Sequence, residues 1–306
     1  MAGRIERDEA IPARIRELAR RRNAVLLAHN YQPPEIQALA DFVGDSLELS
    51  RTAAASGAEV IVFCGVHFMA ETAAILAPGK RVLLPDLAAG CPMAEMINAR
   101  ELRDWKAHYP GRPVVAYVNT TAEVKAESDI CCTSANALRV VESLPDPEIL
   151  FVPDKNLAAY IARRSTKRVI AWDGYCWVHH RLKPSDFQEK KAGHPDAEIW
   201  VHPECPPEVI DIADRVLSTG QMVAEARQTT RSEVIIGTEA TMVHRLRREN
   251  PRVVFIPAKE AALCANMKVL TPEKVLRALE EDIHHIQVDP EIAARARGAI
   301  EAMIRL

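Results

Sequence analysis

The chain has 306 residues, 48% of them apolar, and its 39 lysines and arginines against 42 aspartates and glutamates leave a formal charge of −3. That balance excludes the basic footprint of a nucleic-acid binder, and the composition excludes disordered and fibrous classes. No apolar stretch approaches the ~18 residues of a membrane-spanning helix, and the charged opening MAGRIERDEAIPARIRELAR lacks a secretory apolar core, so a cytoplasmic protein off the membrane is expected.

In chain order, residues 8 to 22 predict an amphipathic basic helix. Three apolar runs follow, AVLLAHNY from Ala24, EVIVF from Glu59 and RVLLPD from Arg81, and then Cys91. The set returns as PVVAYVNTT from Pro113, EILFV from Glu148, RVIAWD from Arg168 and Cys176. It returns again as AEIWVHPEC from Ala197, EVIIG from Glu233, RVVFIP from Arg252 and Cys264. The glutamate-led runs lie 89 and 85 residues apart, the arginine-led runs 87 and 84, and the cysteines 85 and 88. A period of this size marks a repeat architecture. Three short β-branched-rich runs per repeat, separated by segments of helical spacing, predict parallel βαβ units. The fold expected is α/β: three homologous three-layer αβα domains with short parallel sheets, arranged around a pseudo-threefold axis. The domains are placed at 1–110 with the N-terminal helix, 111–196, and 197–306 with two closing helices that start at Thr271-Pro272 and Asp289-Pro290.

Ligands of parallel α/β sheets gather beyond the carboxyl ends of the strands. His29 and Tyr31 close the first run of repeat one, Tyr117 and Asn119 that of repeat two, and His202 and Glu204 that of repeat three. A histidine two residues from a carboxylate suits proton relay. Seven cysteines is an odd count without small-scaffold spacing, so no disulfide framework is expected. Cys91, Cys176 and Cys264 recur in register. As thiolates meeting on one axis they could hold zinc, although the short local spacings of zinc sites are absent. They could equally hold a 4Fe-4S cluster whose fourth iron stays open as a Lewis acid, or be small buried residues. Cys64, Cys131, Cys132 and Cys205 lack this register and read as core. Ser46, Ser134 and Thr219 recur 88 and 85 residues apart at predicted helix starts, where Asp45–Glu48 and Ser218–Gln221 fit capping boxes. They either hold carboxylate or phosphate groups on helix N-termini or merely satisfy backbone donors. His179 and His180 can shape the loop after Cys176, meet a substrate or be solvated. The lack of a GxGxxG or Walker-type segment counts against nicotinamide and nucleoside triphosphate enzymes.

At these residues the chain resembles the quinolinate synthase family of NAD biosynthesis. The resemblance is carried by AHNYQPPEIQALADFVGDSLELSR (28–51), PDLAAGCPMA (85–94), AYVNTTAEVKAESDICCTSANA (116–137), FVPDKNLAAYI (151–161), GYCWVHHR (174–181), HPEC (202–205) and CANMKVLTPEKV (264–275). It implies three similar α/β domains around a 4Fe-4S cluster held by Cys91, Cys176 and Cys264, with one open iron. The implied activity is a transferase reaction that condenses iminoaspartate with dihydroxyacetone phosphate to give quinolinate, inorganic phosphate and two waters. Substrate contacts carry over to His29, Ser46, Tyr117, Asn119, Ser134, His202, Glu204 and Thr219, and acid/base work to Tyr31, Glu204 and His202. The family setting also implies coupling to an L-aspartate oxidase or an aspartate dehydrogenase as the source of iminoaspartate. Pro92, Met93 and Trp177 depart from the family pattern beside the cysteines, where they bear on cluster exposure. Cys264 is the last cysteine, so a redox switch by a terminal thiol pair is not expected.

Overall fold

The computed structural model describes residues 2–306, with side chains from Ala10 onward. After a first helix, Ala2–Arg21, which starts ahead of the predicted residue 8, the described residues contain twelve strands. Repeat one holds β1 Ala24–His29, β2 Phe42–Gly44, β3 Val60–Cys64 and β4 Arg81–Leu83. Repeat two holds β5 Val114–Tyr117, β6 Ile130–Cys132, β7 Glu148–Val152 and β8 Arg168–Ala171. Repeat three holds β9 Glu198–Val201, β10 Arg215–Val216, β11 Glu233–Gly237 and β12 Val254–Pro257. They form three four-stranded sheets of one topology, β2-β1-β3-β4, β6-β5-β7-β8 and β10-β9-β11-β12, with every pairing parallel.

All nine runs expected from the sequence are strands. Parallel strands covered on both faces read as continuous apolar runs, which is why they were visible. Each sheet also has an edge strand that the sequence did not announce. β2, β6 and β10 are two or three residues long, too short to show a period. An aspartate before each one pins it to the central strand. The Asp41, Asp129 and Asp214 carboxylates accept the N–H groups of Leu26, Val114 and Ile199 at 2.8, 2.7 and 2.8 Å. Their own N–H groups donate to the carbonyls of the same three residues at 2.8, 3.0 and 2.9 Å.

The connection from β1 runs outward to β2, and the chain then crosses back over β1 to β3. Right-handed crossovers in opposite directions put helices on both faces of the sheet, giving three layers. The described residues gather into two compact units, one the segment up to Cys91 with Ala265–Pro290, the other Pro92–Cys264 with Glu291–Leu306. The first unit contains the first sheet and the helix Pro272–Glu281, which is capped by Thr271 and followed by Asp282 in ion pairs with Arg22 and Arg81 at 2.7 and 2.9 Å. The second contains the other two sheets. There Arg295 of the closing helix Pro290–Arg305 pairs with Glu127 at 2.6 Å, and the Asn136 amide donates to the Met303 carbonyl at 3.4 Å. Both closing helices start at the prolines expected from the sequence. No helix among the described residues is long and apolar enough to cross a membrane.

Candidate active site

With strand order 2-1-3-4, the crevice of each sheet opens beyond the carboxyl ends of its two central strands, where the connections diverge. The distinctive residues of the sequence stand there. His29 ends β1 and is buried. Its Nδ1 accepts the Tyr31 N–H at 3.1 Å, and the two rings meet edge to face at 4.7 Å. Tyr31 is also buried, with Lys268 donating to its carbonyl. Tyr117 ends β5 and is buried, and Asn119 follows in a turn where its Oδ1 is buried with no hydrogen-bond partner among the described residues. The Thr120 hydroxyl ties that turn to the Tyr117 carbonyl at 3.1 Å, and the wholly buried Lys125 donates to the Thr120 carbonyl. Gln37, 88 residues earlier, braces the equivalent turn of repeat one, after β1, by donating to the Asn30 and Gln32 carbonyls.

The cysteines fall into two classes. Cys64, Cys131, Cys132 and Cys205 are buried, and burial raises every one of their thiol pKa values, those of Cys64 and Cys131 to about 12. Cys91, Cys176 and Cys264 are partly exposed, and each immediately precedes a short helical turn, Pro92–Glu95, Trp177–His180 or Ala265–Lys268. One backbone bond ties each of their loops to the carboxyl end of a central strand. The N–H groups of His67, Lys155 and Ala240 donate to the carbonyls of Ala89, Gly174 and Ala262 at 2.7, 2.8 and 2.8 Å, in each case two residues before the cysteine. At Gly174 the approach is so close that a Cβ would lie 2.5 Å from the Pro153 carbonyl oxygen, so only glycine fits.

Within the second unit, Cys176 joins a buried cluster of acid/base groups. His179 Nδ1 lies 3.1 Å from Cys176 Sγ and 3.0 Å from Glu204 Oε2, while its Nε2 is 2.8 Å from the Thr238 hydroxyl. The His202 ring stacks on His179 with centroids 4.6 Å apart, and its Nδ1 also lies 3.0 Å from Glu204 Oε2. Glu204 Oε1 is buried without a hydrogen-bond partner among the described residues. Burial pushes the Glu204 carboxyl upward, but the His179 and His202 rings outweigh it and hold the group well below the usual carboxylate range. His202 is pushed down by burial, only partly opposed by Glu204, and its Nδ1 also lies 3.4 Å from the Glu204 N–H nitrogen. Asp154, also buried, is pushed up by burial and by the Glu204 charge against the N–H groups it accepts. The Asn156 amide donates to the Glu204 carbonyl at 3.1 Å and fixes that turn. Cys176, His179 and Glu204 place their ligating atoms within 4.8 Å of one another and could hold a metal.

The hydroxyl series needs correction. Asp45 and Ser218 are the caps, each accepting N–H groups of its helix in a full capping box, and Ser46 and Thr219 are the first helical residues of Ser46–Ala55 and Thr219–Gln228. Ser134 starts no helix. Its helix begins at Ala137, and Ser134 lies in a turn where Thr133, the counterpart of Asp45 and Ser218, accepts the Ala135 N–H at 3.3 Å. Ser134 lines a cleft with Tyr160, Pro203, Leu217 and Gln221. His179, left open by the sequence, is wholly internal, whereas Asp154, Thr238 and Glu239 were not singled out. Their signal was the repeat itself, since Asp154 and Glu239 are 85 residues apart, each two residues past its strand.

A family model described as Quinolinate synthetase A protein matches residues 13–305. The quinolinate synthase of Dehalococcoides mccartyi strain CBDB1 is 57% identical over 298 residues, 97% of this chain and 99% of that protein. Those of Methanoregula boonei and Thermodesulfovibrio yellowstonii are 55% and 53% identical over 292 and 290 residues, covering 95% and 94% of this chain and 97% and 96% of theirs. With matches of this identity across nearly the whole length, the chain belongs to the quinolinate synthetase A family of enzymes.

Proposed function

We propose that the chain condenses iminoaspartate with dihydroxyacetone phosphate to give quinolinate, inorganic phosphate and two waters, in the cytoplasm and on the way to NAD. The observation that carries this reading is Glu204. One oxygen is shared by two histidine rings, and the other is a buried acceptor without a partner among the described residues. A charged acceptor left so is costly unless a ligand donor completes it, and the N–H or O–H groups of these substrates are such donors. Asn119 Oδ1 offers a second open acceptor. Glu204 removes or returns a proton at Oε1 while His202 and His179 hold its charge at Oε2. Tyr31 is the second acid/base group, beside His29. Ser46 and Thr219, at the first positions of ten-residue helices, place hydroxyls beside amide groups suited to carboxylate or phosphate, with Tyr117 and Ser134 as further substrate contacts.

The donor set suits a 4Fe-4S cluster. Three partly exposed cysteines stand at repeat-equivalent positions, one from each of the repeats 1–110, 111–196 and 197–306, while the other four are buried thiols. Cys91, Cys176 and Cys264 would hold it. Bound by three protein ligands, it supplies an iron with an open position, a Lewis acid for a substrate hydroxyl or carboxylate during loss of water. Iminoaspartate reaches the enzyme from an L-aspartate oxidase or an aspartate dehydrogenase. The test is an anaerobic assay of quinolinate from dihydroxyacetone phosphate and freshly generated iminoaspartate. Dehydration of other hydroxy acids with no quinolinate formed would replace this reading with another hydro-lyase. The trio Cys176, His179 and Glu204 favours a second reading, a single divalent ion such as zinc, which metal analysis separates from a cluster.

A further inference from the structure

Resting on the cluster reading above, we propose that Asp154 and Glu239 are positioning residues that fix the backbone of two ligand cysteines. Asp154 stands two residues past β7 and is wholly buried. Its Oδ1 accepts the Leu157 N–H at 2.7 Å and caps the helix Lys155–Ala162, while Oδ2 accepts the Cys176 N–H at 3.0 Å. Glu239 stands two residues past β11 and is also wholly buried. Its Oε2 accepts the Thr241 N–H at 3.0 Å and the Thr241 hydroxyl, while Oε1 accepts the Cys264 N–H at 3.2 Å.

The two sites divide their work alike although one is an aspartate and the other a glutamate. One oxygen starts the following turn, and the other holds the cysteine. Capping alone does not explain this arrangement, because a serine or asparagine satisfies a helix start without burying a carboxylate. What the second oxygen adds is a fixed amide at the cysteine, and hence a fixed direction for its Cα–Cβ bond. The backbone bond to the residue two before each cysteine occurs in all three repeats, but the carboxylate occurs in two. Repeat one carries Val66 at that position. Thr238, next to Glu239, also holds the His179 ring that touches Cys176, so one turn serves both cysteine loops of the second unit.

Asp154→Asn and Glu239→Gln test this. Each keeps one acceptor for the turn and sets an amide NH2 against the cysteine N–H. In metal-free protein, alkylation by iodoacetamide followed cysteine by cysteine should quicken at Cys176 in the first variant and at Cys264 in the second. The expected change is roughly threefold or more, the scale of one net hydrogen bond, with Cys91 unchanged and the far-ultraviolet circular dichroism retained. In the iron-loaded protein under anaerobiosis, loss of iron to a chelator should quicken similarly. Alkylation at the wild-type rate, or an equal rise at all three cysteines, overturns the proposal. Should Asp154→Asn fold poorly, Asp154→Ser keeps the cap, and Glu239→Gln carries the test independently. If the wild-type protein takes up no iron, the cluster reading fails, while the alkylation rates still decide the positioning role.

Discussion

At Glu204 the electrostatics are lopsided, with two imidazoles on Oε2 and an open buried acceptor at Oε1. Glu204→Gln keeps the shape and removes the charge, and with it the proton transfer proposed for Glu204. Quinolinate formation should fall ~10²-fold to ~10⁴-fold, the usual worth of general acid–base catalysis, with bound iron unchanged. Activity within a factor of about two of wild type would take Glu204 out of the chemistry. His202 gives a pH signature. Its folded-state pKa is depressed by burial, so on acidification the unfolded chain takes up the proton first, and stability is lost as pH falls below ~6.5. The carboxylate works in the same direction lower down, contributing stability above ~4.5 that disappears as pH falls through its depressed folded value. The thermal midpoint should therefore drop between pH 7 and 5, and drop less in His202→Gln. Parallel curves for the two proteins would show that the fold does not lower the His202 pKa.

At the scale of elements, the correction to the hydroxyl series separates two roles that the sequence had merged. Asp45 accepts the Leu47 and Glu48 N–H groups at 3.0 and 2.9 Å, so Asp45→Ala should cost ~1 kcal/mol of stability. Ser46 makes no capping bond. Ser46→Ala should leave the melting temperature within a degree or two while raising KM roughly tenfold, the scale of a hydrogen bond to a charged group. An equal loss of stability in both variants would return Ser46 to a structural role. The merging had a physical source. Repeat spacing carries a residue to the equivalent turn but does not fix where the helix begins, and in repeat two it begins three residues after Ser134, at Ala137. Edge strands β2, β6 and β10 escaped for a related reason, since two or three residues show no period, although Asp41, Asp129 and Asp214 mark them at intervals of 88 and 85.

For the whole molecule, the threefold recurrence of glutamate-led and arginine-led runs was enough to foresee three parallel sheets, because buried parallel strands write themselves as unbroken apolar runs. Their common order and the closing helices at Pro272 and Pro290 follow the same plan. At the site, the HPE segment was legible because His202 and Glu204 are neighbours in sequence. The links from Asp154 to Cys176, 22 residues on, and from His179 to Thr238, 59 residues on, were not, since no local pattern encodes contacts that only the packing of separate strand ends creates. Burial then sorted the seven cysteines into four core thiols and three partly exposed ones in register. The most direct test is anaerobic purification, with iron, sulfide and zinc determined per chain and quinolinate assayed in the same preparation. About four irons and four sulfides with quinolinate formed is the predicted result. Zinc or no metal under strict anaerobiosis, or a full cluster that yields no quinolinate, would contradict it.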